Sequence, residues 1–353
     1  MITAPTHHSQ VLGVQLLRFI AAVLVVITHA TLAIVERLNV HEFSVWENGG
    51  VGVNIFFVIS GFVMVVSSQK LLFRNDGAKL FLQKRLIRIV PIYWFATSLK
   101  LSIVLLFPIV TLHSNFDYWH TLCSFLFIPA KNGEGVITPI HAVGWTLTYE
   151  MLFYCLFALA LYLKKPAVLF VSTLFILLIL ISTFIDLSAW TIADYYSRPI
   201  TLQFVMGMII GLMHIKEFKF HPVLALLFLV FGFAQVLTEL YIKSEPDWLS
   251  FLRWGLPSAM IVIGVVYLEP YIKSYIPKML TYLGDGSYSL YIFHPFIIPA
   301  IGILLAKLGI DNPSIAMVIL VIIPILLCQI IYLYLEAPIT SYLAKYTANQ
   351  LRR

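Results

Sequence analysis

Two ionisable side chains, Arg18 and His29, lie inside the first long apolar run of the sequence. They are eleven residues apart, so on an α-helix they are separated by about 20° around the axis and about 16 Å along it. An ionisable residue at the centre of a membrane helix costs about 2.5–3.5 kcal/mol on insertion scales and usually marks a pathway or a site. The spacing therefore predicts that both side chains face one interior groove at two depths. The alternative is an arginine that reaches back to the membrane surface beside a histidine that only packs against a helix.

A carboxylate in the fourth apolar run lies at a depth that matches the histidine. Glu150 is about 10 Å inside the start of its run, and His29 is about as far inside the end of its own. This predicts a pair in which Glu150 orients His29 while the imidazole takes a proton from a substrate hydroxyl. Asn54, in the second run, is placed at similar depth and can add an amide hydrogen bond. A purely structural role is the alternative for each side chain taken alone.

The third apolar run opens with Arg85 and Arg88, which are three residues apart and share one helical face. Two planar guanidinium groups at a membrane rim suit phosphate groups, which arginine binds in a bidentate manner. The alternative is a positively charged segment that only fixes the orientation of the helix.

The ninth run carries His294 directly before Pro295. Its distance from the start of the run places His294 near the depth of Arg18, and the proline predicts a kink where a cavity is lined. The alternative is a histidine that only satisfies hydrogen bonds inside the bundle.

The composition indicates what kind of protein holds these side chains. The chain has 353 residues, of which 60% are hydrophobic and 11% charged, whereas a soluble domain carries about 25% charged residues. Apolar runs of about twenty residues predict repeated membrane crossings, so the expected fold is an all-α polytopic membrane bundle with about ten transmembrane helices. The predicted spans are about 11–36, 50–69, 85–108, 143–163, 166–186, 198–214, 221–241, 251–268, 287–308 and 312–336.

The distribution of lysine and arginine predicts that both termini are cytoplasmic. Positive residues cluster after the even-numbered spans, for example between 70 and 88, and the last of them are Lys345, Arg352 and Arg353, whereas the alternate loops hold single residues such as Lys131 and Lys243. The largest outer loop is then about 109–142, which contains His113. The first run follows a segment without lysine or arginine, so we expect it to remain as a span rather than to act as a cleaved signal peptide. Residues 1–353 are expected to form a single membrane domain with no appended soluble domain.

The composition also narrows the expected partners. The net charge of +6 reports membrane topology, so no nucleic-acid partner is expected. The three cysteines, Cys123, Cys155 and Cys328, are too scattered for a disulfide framework or a metal site, and no metal is expected.

Five motifs in order along residues 11–336 resemble acyltransferase family 3, whose members are ten-helix membrane O-acyltransferases of bacterial surface polysaccharides. They are the Arg18 to His29 spacing, residues 52–62 (GVNIFFVISGF), 85–91 (RLIRIVP), 145–150 (WTLTYE) and 288–295 (YSLYIFHP). Residues 124–129 (SFLFIP) and 144–154 (GWTLTYEMLFY) are most similar to the exopolysaccharide acetyltransferase branch. The chain departs from longer members in lacking an esterase-like C-terminal domain, which suggests that the membrane domain or a separate partner completes acyl transfer. Many members also carry Asp where this chain has Asn54, which argues against an acidic role there.

The resemblance implies transfer of an acyl group, expected to be acetyl, from cytoplasmic acyl-CoA to a sugar hydroxyl at the outer side of the bacterial cytoplasmic membrane. His29 is then the general base or a transient acyl acceptor, with Glu150 as its partner. The supporting residues implied are Arg18, Arg85 and Arg88 for acyl-CoA, Asn54 and Tyr149 for the oxyanion or acceptor side, and Trp145, Ser289 and His294 as cavity lining. No tightly bound cofactor is implied. The partners are acetyl-CoA or another acyl-CoA, an exopolysaccharide, O-antigen or lipid-linked glycan, the lipid bilayer and polysaccharide assembly proteins.

Two functions of other classes remain open from the sequence. Arg, His and Glu inside spans also form the proton relays of transporters, so a proton-coupled transporter of a glycan or small anion is the main alternative, although the inverted repeats common in such folds are not visible. A non-catalytic scaffold for polysaccharide assembly is the third possibility, and in it the loss of His29 has little effect.

Overall fold

The computed structural model describes residues 11–40, 42–106, 117–238 and 247–350. The protein is 81% helical, and no strand is found in these ranges. Part of the predicted outer loop, including His113, lies outside the described residues, as do Lys243, Arg352 and Arg353.

The described ranges contain fifteen α-helices, which short turns and single turns of 3-10 or π helix connect. Their bounds are α1 Leu12–Arg37, α2 Val51–Ser68, α3 Gly77–Leu106, α4 Tyr118–Phe125, α5 Trp145–Tyr162, α6 Ala167–Phe184, α7 Thr191–Tyr196, α8 Leu202–Ile215, α9 Pro222–Leu237, α10 Asp247–Ser250, α11 Leu256–Ile272, α12 Lys278–Asp285, α13 Ser287–Lys307, α14 Pro313–Ile331 and α15 Ala337–Gln350.

Eight helical segments in the described ranges are long and apolar enough to cross a membrane, so the protein is a multi-pass membrane protein. Each of the eight coincides with a predicted span. The other two predicted spans coincide with shorter apolar helices at Pro199–Ile215 and Pro222–Leu237.

The third span is longer than the sequence predicted. Helix α3 begins at Gly77 rather than near residue 85, because its first turns carry helix-forming residues that need no membrane around them. Arg85 and Arg88 therefore lie inside the helix, two to three turns after its start, and not at its first residues.

Contacts between neighbouring helices fix their relative directions. Helices α2, α5 and α8 run parallel to one another, so all three begin at one face of the bundle. Helix α1 runs antiparallel to α2 and parallel to α13. The contacting pairs are Phe57 with Trp145, Ser60 with Glu150, Gly61 with Phe204, Gly211 with Val65, Gly52 with Ala21, Gly49 with Thr28, His29 with His294, and Gly302 with Arg37. These directions are the ones that the predicted succession of crossings requires.

The two helices that flank the candidate site, α2 and α8, pack backbone to backbone. A Cβ atom at Gly61 would overlap the carbonyl of Phe204, and one at Gly207 would overlap the carbonyl of Val58. Small residues at such crossings let membrane helices approach closely. Because α2 is held tightly on this face, its other side chains have fixed positions for a site.

The described part of the outer loop is anchored to the bundle by a buried histidine. His141 donates its Nε2 hydrogen to the carbonyl of Ile292 at 2.8 Å and stacks on Phe296. Burial lowers the pKa of His141 to about 4, so the ring is neutral at physiological pH. It therefore positions the start of α5 and carries no charge there.

Candidate active site

A cavity lies between α1, α2, α3, α5 and α13. Three arginines line it together with Glu150 and Tyr154, and we call it the arginine cavity. Its other walls are apolar and aromatic side chains of α2, α5 and α13. The structure thus brings together Arg18, Arg85 and Arg88, the three side chains predicted to hold a donor.

The arginines are held by neutral groups. Arg18 donates to the Gln15 amide oxygen at 3.1 Å. Arg85 donates to the Ser67 hydroxyl at 2.5 Å and lies over the rings of Phe81 and Tyr154. Arg88 has no hydrogen bond or ion pair with any residue in the described ranges. Within those ranges no carboxylate lies within ion-pair distance of the three guanidinium groups, so the cavity retains the positive charge that an anionic ligand would neutralise.

Glu150 lies in the arginine cavity and not beside His29, which corrects the predicted pair. Its Oε1 atom accepts hydrogen bonds from Ser60 at 2.8 Å and from Tyr154, and its charge acts on Arg18. The depth prediction took the start of the apolar run as the membrane surface, whereas Val143 and Gly144 are already buried before α5 begins. Five residues after Trp145, Glu150 reaches the cavity that Arg18 also lines.

His29 has a histidine as its neighbour. The rings of His29 and His294 pack edge to face with centroids 4.7 Å apart. Each donates its Nδ1 hydrogen to the carbonyl one turn back, Val25 or Leu290, at 2.9 Å. In a neutral ring this leaves Nε2 as an acceptor, and Nε2 of the fully buried His294 has no partner.

The depth predicted for His294 is therefore wrong. Helix α12 lies beside the start of α1, where Gln15 donates to Asp285, so α13 already begins partway along α1, between the levels of Arg18 and His29. Ser287, the first residue of α13, lines the arginine cavity with Arg18. Seven further residues, about 10 Å, bring His294 to His29.

A second cavity is lined by Asn54, Trp145 and Tyr149, which the sequence singled out. Gln203 and Tyr195 also line this cavity, which we call the amide cavity. It lies where α2, α5 and α8 begin. The Tyr149 hydroxyl donates to the Tyr195 carbonyl at 2.6 Å, so the hydrogen predicted to stabilise an oxyanion is already used.

Sequence reasoning missed two buried polar side chains. Gln203 is 1% exposed, and Glu336 is buried and accepts from Ser289 at 2.6 Å. Ser289 therefore supports Glu336 and does not line the arginine cavity. The signal for Glu336 was present, since it ends an apolar run, whereas a single glutamine in an apolar helix carries no charge to mark it.

No group of three or more His, Cys, Asp or Glu side chains that could hold a metal ion is found among the described residues.

Comparison with known proteins gives this bundle its class. A family model described as an acyltransferase domain matches residues 11–333. The exopolysaccharide production protein ExoZ of Rhizobium meliloti (strain 1021) is 35% identical over 283 residues, which cover 78% of this chain and 83% of that protein. The O-acetyltransferase OatA of Staphylococcus aureus (strain NCTC 8325 / PS 47) is 24% identical over 87% of this chain and 55% of its own length. No solved structure matches.

The chain is therefore a multi-pass membrane O-acyltransferase. It belongs to the acyltransferase 3 family and is similar to the exopolysaccharide branch of it. The family implies an acyl donor and a glycan acceptor.

Proposed function

We propose that this enzyme moves an acetyl group from cytoplasmic acetyl-CoA to a sugar hydroxyl of an exopolysaccharide or lipid-linked glycan at the outer side of the bacterial cytoplasmic membrane. In this proposal the chain is one membrane domain that crosses ten times, with both termini in the cytoplasm. The observation that carries the proposal is the arginine cavity, whose guanidinium groups have no carboxylate within ion-pair distance in the described ranges. Such a site suits the phosphates of coenzyme A.

The three arginines contact the donor in different ways. Arg88, which has no hydrogen bond or ion pair within the described chain, binds a phosphate directly. Arg85, already oriented by Ser67 and two aromatic rings, supplies a rigid second contact. Arg18 lies on α1, the helix that also carries His29, so the thinner pantetheine arm follows α1 outward and brings the thioester toward the histidine.

His29 supplies the chemistry in this proposal. Its Nε2 atom takes the proton of the sugar hydroxyl as the hydroxyl oxygen bonds to the acyl carbon. The carbon–sulfur bond then breaks, and the thiolate of coenzyme A takes the proton from His29. In the second route Nε2 of His29 attacks the acyl carbon and the carbon–sulfur bond breaks, which releases the thiolate of coenzyme A. The sugar hydroxyl oxygen then takes the acyl group from Nε2, and the hydroxyl proton goes to the thiolate.

His294 replaces Glu150 as the proposed partner of His29. Its unpartnered Nε2 lies on a ring in contact with the His29 ring, so it is the nearest acceptor for the imidazolium that forms. Glu150 instead acts in the arginine cavity, where with Ser60 and Tyr154 it fixes the wall between α2 and α5. Asn54 remains a proposed contact on the acceptor side.

Donor turnover tests the proposal and separates it from transport. Purified enzyme in nanodiscs is given acetyl-CoA labelled in the acetyl group, with cell-envelope glycan from a strain that lacks the gene. We expect release of free coenzyme A and label in the glycan. Flux of a solute through proteoliposomes without acyl transfer would instead favour the transporter.

Thiol labelling tests the orientation. We expect Val136→Cys, in the predicted outer loop and 54% exposed, to react with an impermeant reagent in intact cells, whereas Phe73→Cys, 95% exposed, does not. Both changes are made after the three native cysteines are replaced by serine. The hydrogen bond from Lys164 to Asn75 brings the loop after α5 and the loop between α2 and α3 to one end of the bundle. The proposed orientation requires this, because both loops would be cytoplasmic. Equal labelling at both positions would contradict it.

A further inference from the structure

The amide cavity is open at the bundle face where α2, α5 and α8 begin. Short connecting segments near Thr138 and Ile200 form its rim. One layer of rings separates it from the arginine cavity. Phe57 lines the arginine cavity and packs edge to face against Trp145 and Tyr149, which line the amide cavity, with centroids 6.2 and 6.1 Å apart. A ligand in the amide cavity therefore approaches the donor site from the opposite side.

The polar groups of the amide cavity are incompletely satisfied. Gln203 is 1% exposed and donates its Nε2 hydrogen to Asn54 Oδ1 at 2.5 Å, but its own Oε1 has no partner. Asn54 Nδ2 has only a long contact, 3.5 Å, with the carbonyl of Gly50. A buried acceptor without a partner is costly, and a hydroxyl that donates to Gln203 and accepts from Asn54 would satisfy both amides.

The aromatic groups form a rigid wall. Tyr149 and Tyr195 stack with centroids 4.4 Å apart, and each hydroxyl donates to a backbone carbonyl, Tyr149 to Tyr195 and Tyr195 to Trp145. Their hydroxyls are thus used within the protein, and the rings present apolar surface. Aromatic surface beside hydrogen-bonding amides suits a ligand with C–H groups on one side and hydroxyls at its edge.

The charge of the amide cavity argues against an anionic ligand. Its one lining cation in the described ranges is Arg198, at the rim. Arg198 lies 3.6 Å from the Asp194 carboxylate and over the Tyr195 ring, so its charge is largely compensated. This contrasts with the arginine cavity and favours a neutral ligand.

We propose that the amide cavity binds a neutral pyranose unit of the glycan acceptor, with Gln203 and Asn54 on its hydroxyls and Trp145 against its ring. The role of this sugar as acceptor rests on the proposed function, but sugar binding itself does not. Sugar binding is measured without a donor, so the site is tested even if the enzyme uses another acyl donor.

Saturation-transfer difference NMR on the full-length protein in nanodiscs tests this site. The probes are cellotriose and a β-1,4-linked galactotriose, and sorbitol, an open-chain polyol, is the control. We expect at least one trisaccharide to bind through its ring C–H protons and sorbitol not to compete. Trp145→Ala and Gln203→Leu should each weaken binding at least tenfold.

Matched controls show whether the loss is local. Trp190→Ala changes an exposed tryptophan outside the amide cavity, and Gln235→Leu changes a glutamine on α9 that does not line it. Both should bind the trisaccharide as the wild type does. If Gln203→Leu fails to fold, Ile200→Trp, which fills the rim, should block binding in its place.

The results separate the site from its alternatives. Binding that survives in both Trp145→Ala and Gln203→Leu would place the sugar elsewhere and overturn the proposal. So would the absence of binding by both trisaccharides to the wild type, or equal competition by sorbitol. A chain that binds sugar as expected but releases no coenzyme A would leave this site standing and refute the proposed donor.

Discussion

The arginine cavity and the amide cavity use the same two helices for opposite chemistry. On α2, Phe57 and Ser60 face the arginine cavity while Asn54 faces the amide cavity, and on α5 Glu150 and Trp145 divide in the same way. One cavity holds guanidinium groups with no carboxylate within ion-pair distance in the described ranges, and the other holds neutral amides and aromatic rings. In the proposed function a charged donor and an uncharged acceptor are thus selected on two sides of one wall, which α2 and α5 form together.

The difference also fits the proposed transfer across a membrane. The arginine cavity reaches from the end where α1 and α3 begin, and the amide cavity opens at the end where α2, α5 and α8 begin. Because those two sets of helices run antiparallel, the two cavities approach each other from opposite faces. In the proposed function the acyl group and the sugar hydroxyl then meet at His29, which lines neither cavity.

The largest expected effect is that of removing the histidine base. His29→Ala should lower turnover by about 10²–10⁴, the usual range for loss of a general base, while acetyl-CoA affinity measured by calorimetry changes less than about threefold. His221→Ala, at an exposed position before α9, is the control and should keep wild-type turnover. Loss of donor binding in His29→Ala would mean that chemistry and donor anchoring are not separated.

The next effect sharpens the charge difference between the cavities. Arg88→Ala should raise the KM for acetyl-CoA about 10–100-fold, as expected for hydrogen bonds to a charged group worth about 1.5–3 kcal/mol, and high donor concentration should restore much of the turnover. Arg88→Lys keeps the positive charge but should recover only part of the affinity, because an ammonium group cannot make the bidentate contact.

The matched control for Arg88 lies one turn earlier on the same helix. Lys84 is exposed and does not line the arginine cavity, so Lys84→Ala removes the same charge from the same end of the bundle. We expect its KM to stay within about twofold of the wild type, because an exposed charge is well screened. An equal rise of KM in Arg88→Ala and Lys84→Ala would mean that positive charge at this end of the bundle attracts anions in general and that the cavity is not a specific site.

The sequence could predict one cavity far better than the other. Charged residues in apolar runs are rare and costly, so Arg18, Arg85, Arg88 and Glu150 were visible without a structure. Gln203 was not, because an uncharged amide in an apolar helix leaves no distinctive pattern. The spans themselves were predicted, although α3 begins eight residues earlier than expected, since runs of about twenty apolar residues have few other solutions.

Depth was the property that sequence counting could not supply. The predictions for Glu150 and His294 counted residues from the start of each helix, as if every helix began at one membrane plane. In the structure α5 follows a buried turn and α13 follows α12, which already lies beside α1. Both helices therefore start deeper than α1. As a result Glu150 lies in the cavity with Arg18 and His294 lies beside His29, the reverse of the expected arrangement.

A smaller effect tests whether Glu150 belongs to the arginine cavity. Glu150→Gln removes the charge of the acceptor and Tyr154→Phe removes the donor, and each should lower kcat/KM about 5–30-fold because a charge-assisted hydrogen bond is weakened or lost. The double variant should lose little more than the worse single variant, as contacting residues are not additive. The loss in Glu150→Gln should add to that of His294→Ala. Additivity with Tyr154→Phe, together with coupling to His294→Ala, would contradict this placement and return Glu150 to the histidines, where the sequence predicted it as the partner of His29.

The smallest effect concerns how the arginine cavity is held in shape. Ser67 accepts from Arg85 at 2.5 Å, so Ser67→Ala frees one side of the guanidinium without removing its charge. A hydrogen bond of this kind contributes about 0.5–1.5 kcal/mol, but Arg85 keeps its contacts with Phe81 and Tyr154. We therefore expect the KM for acetyl-CoA to rise only about two- to fivefold, with kcat unchanged. Ser68→Ala is the matched control, because that hydroxyl donates to the Val65 carbonyl and touches no arginine. A KM in Ser67→Ala as high as in Arg88→Ala would show that orientation rather than charge gives the arginine cavity its affinity, and the contrast with the amide cavity would then be one of rigidity.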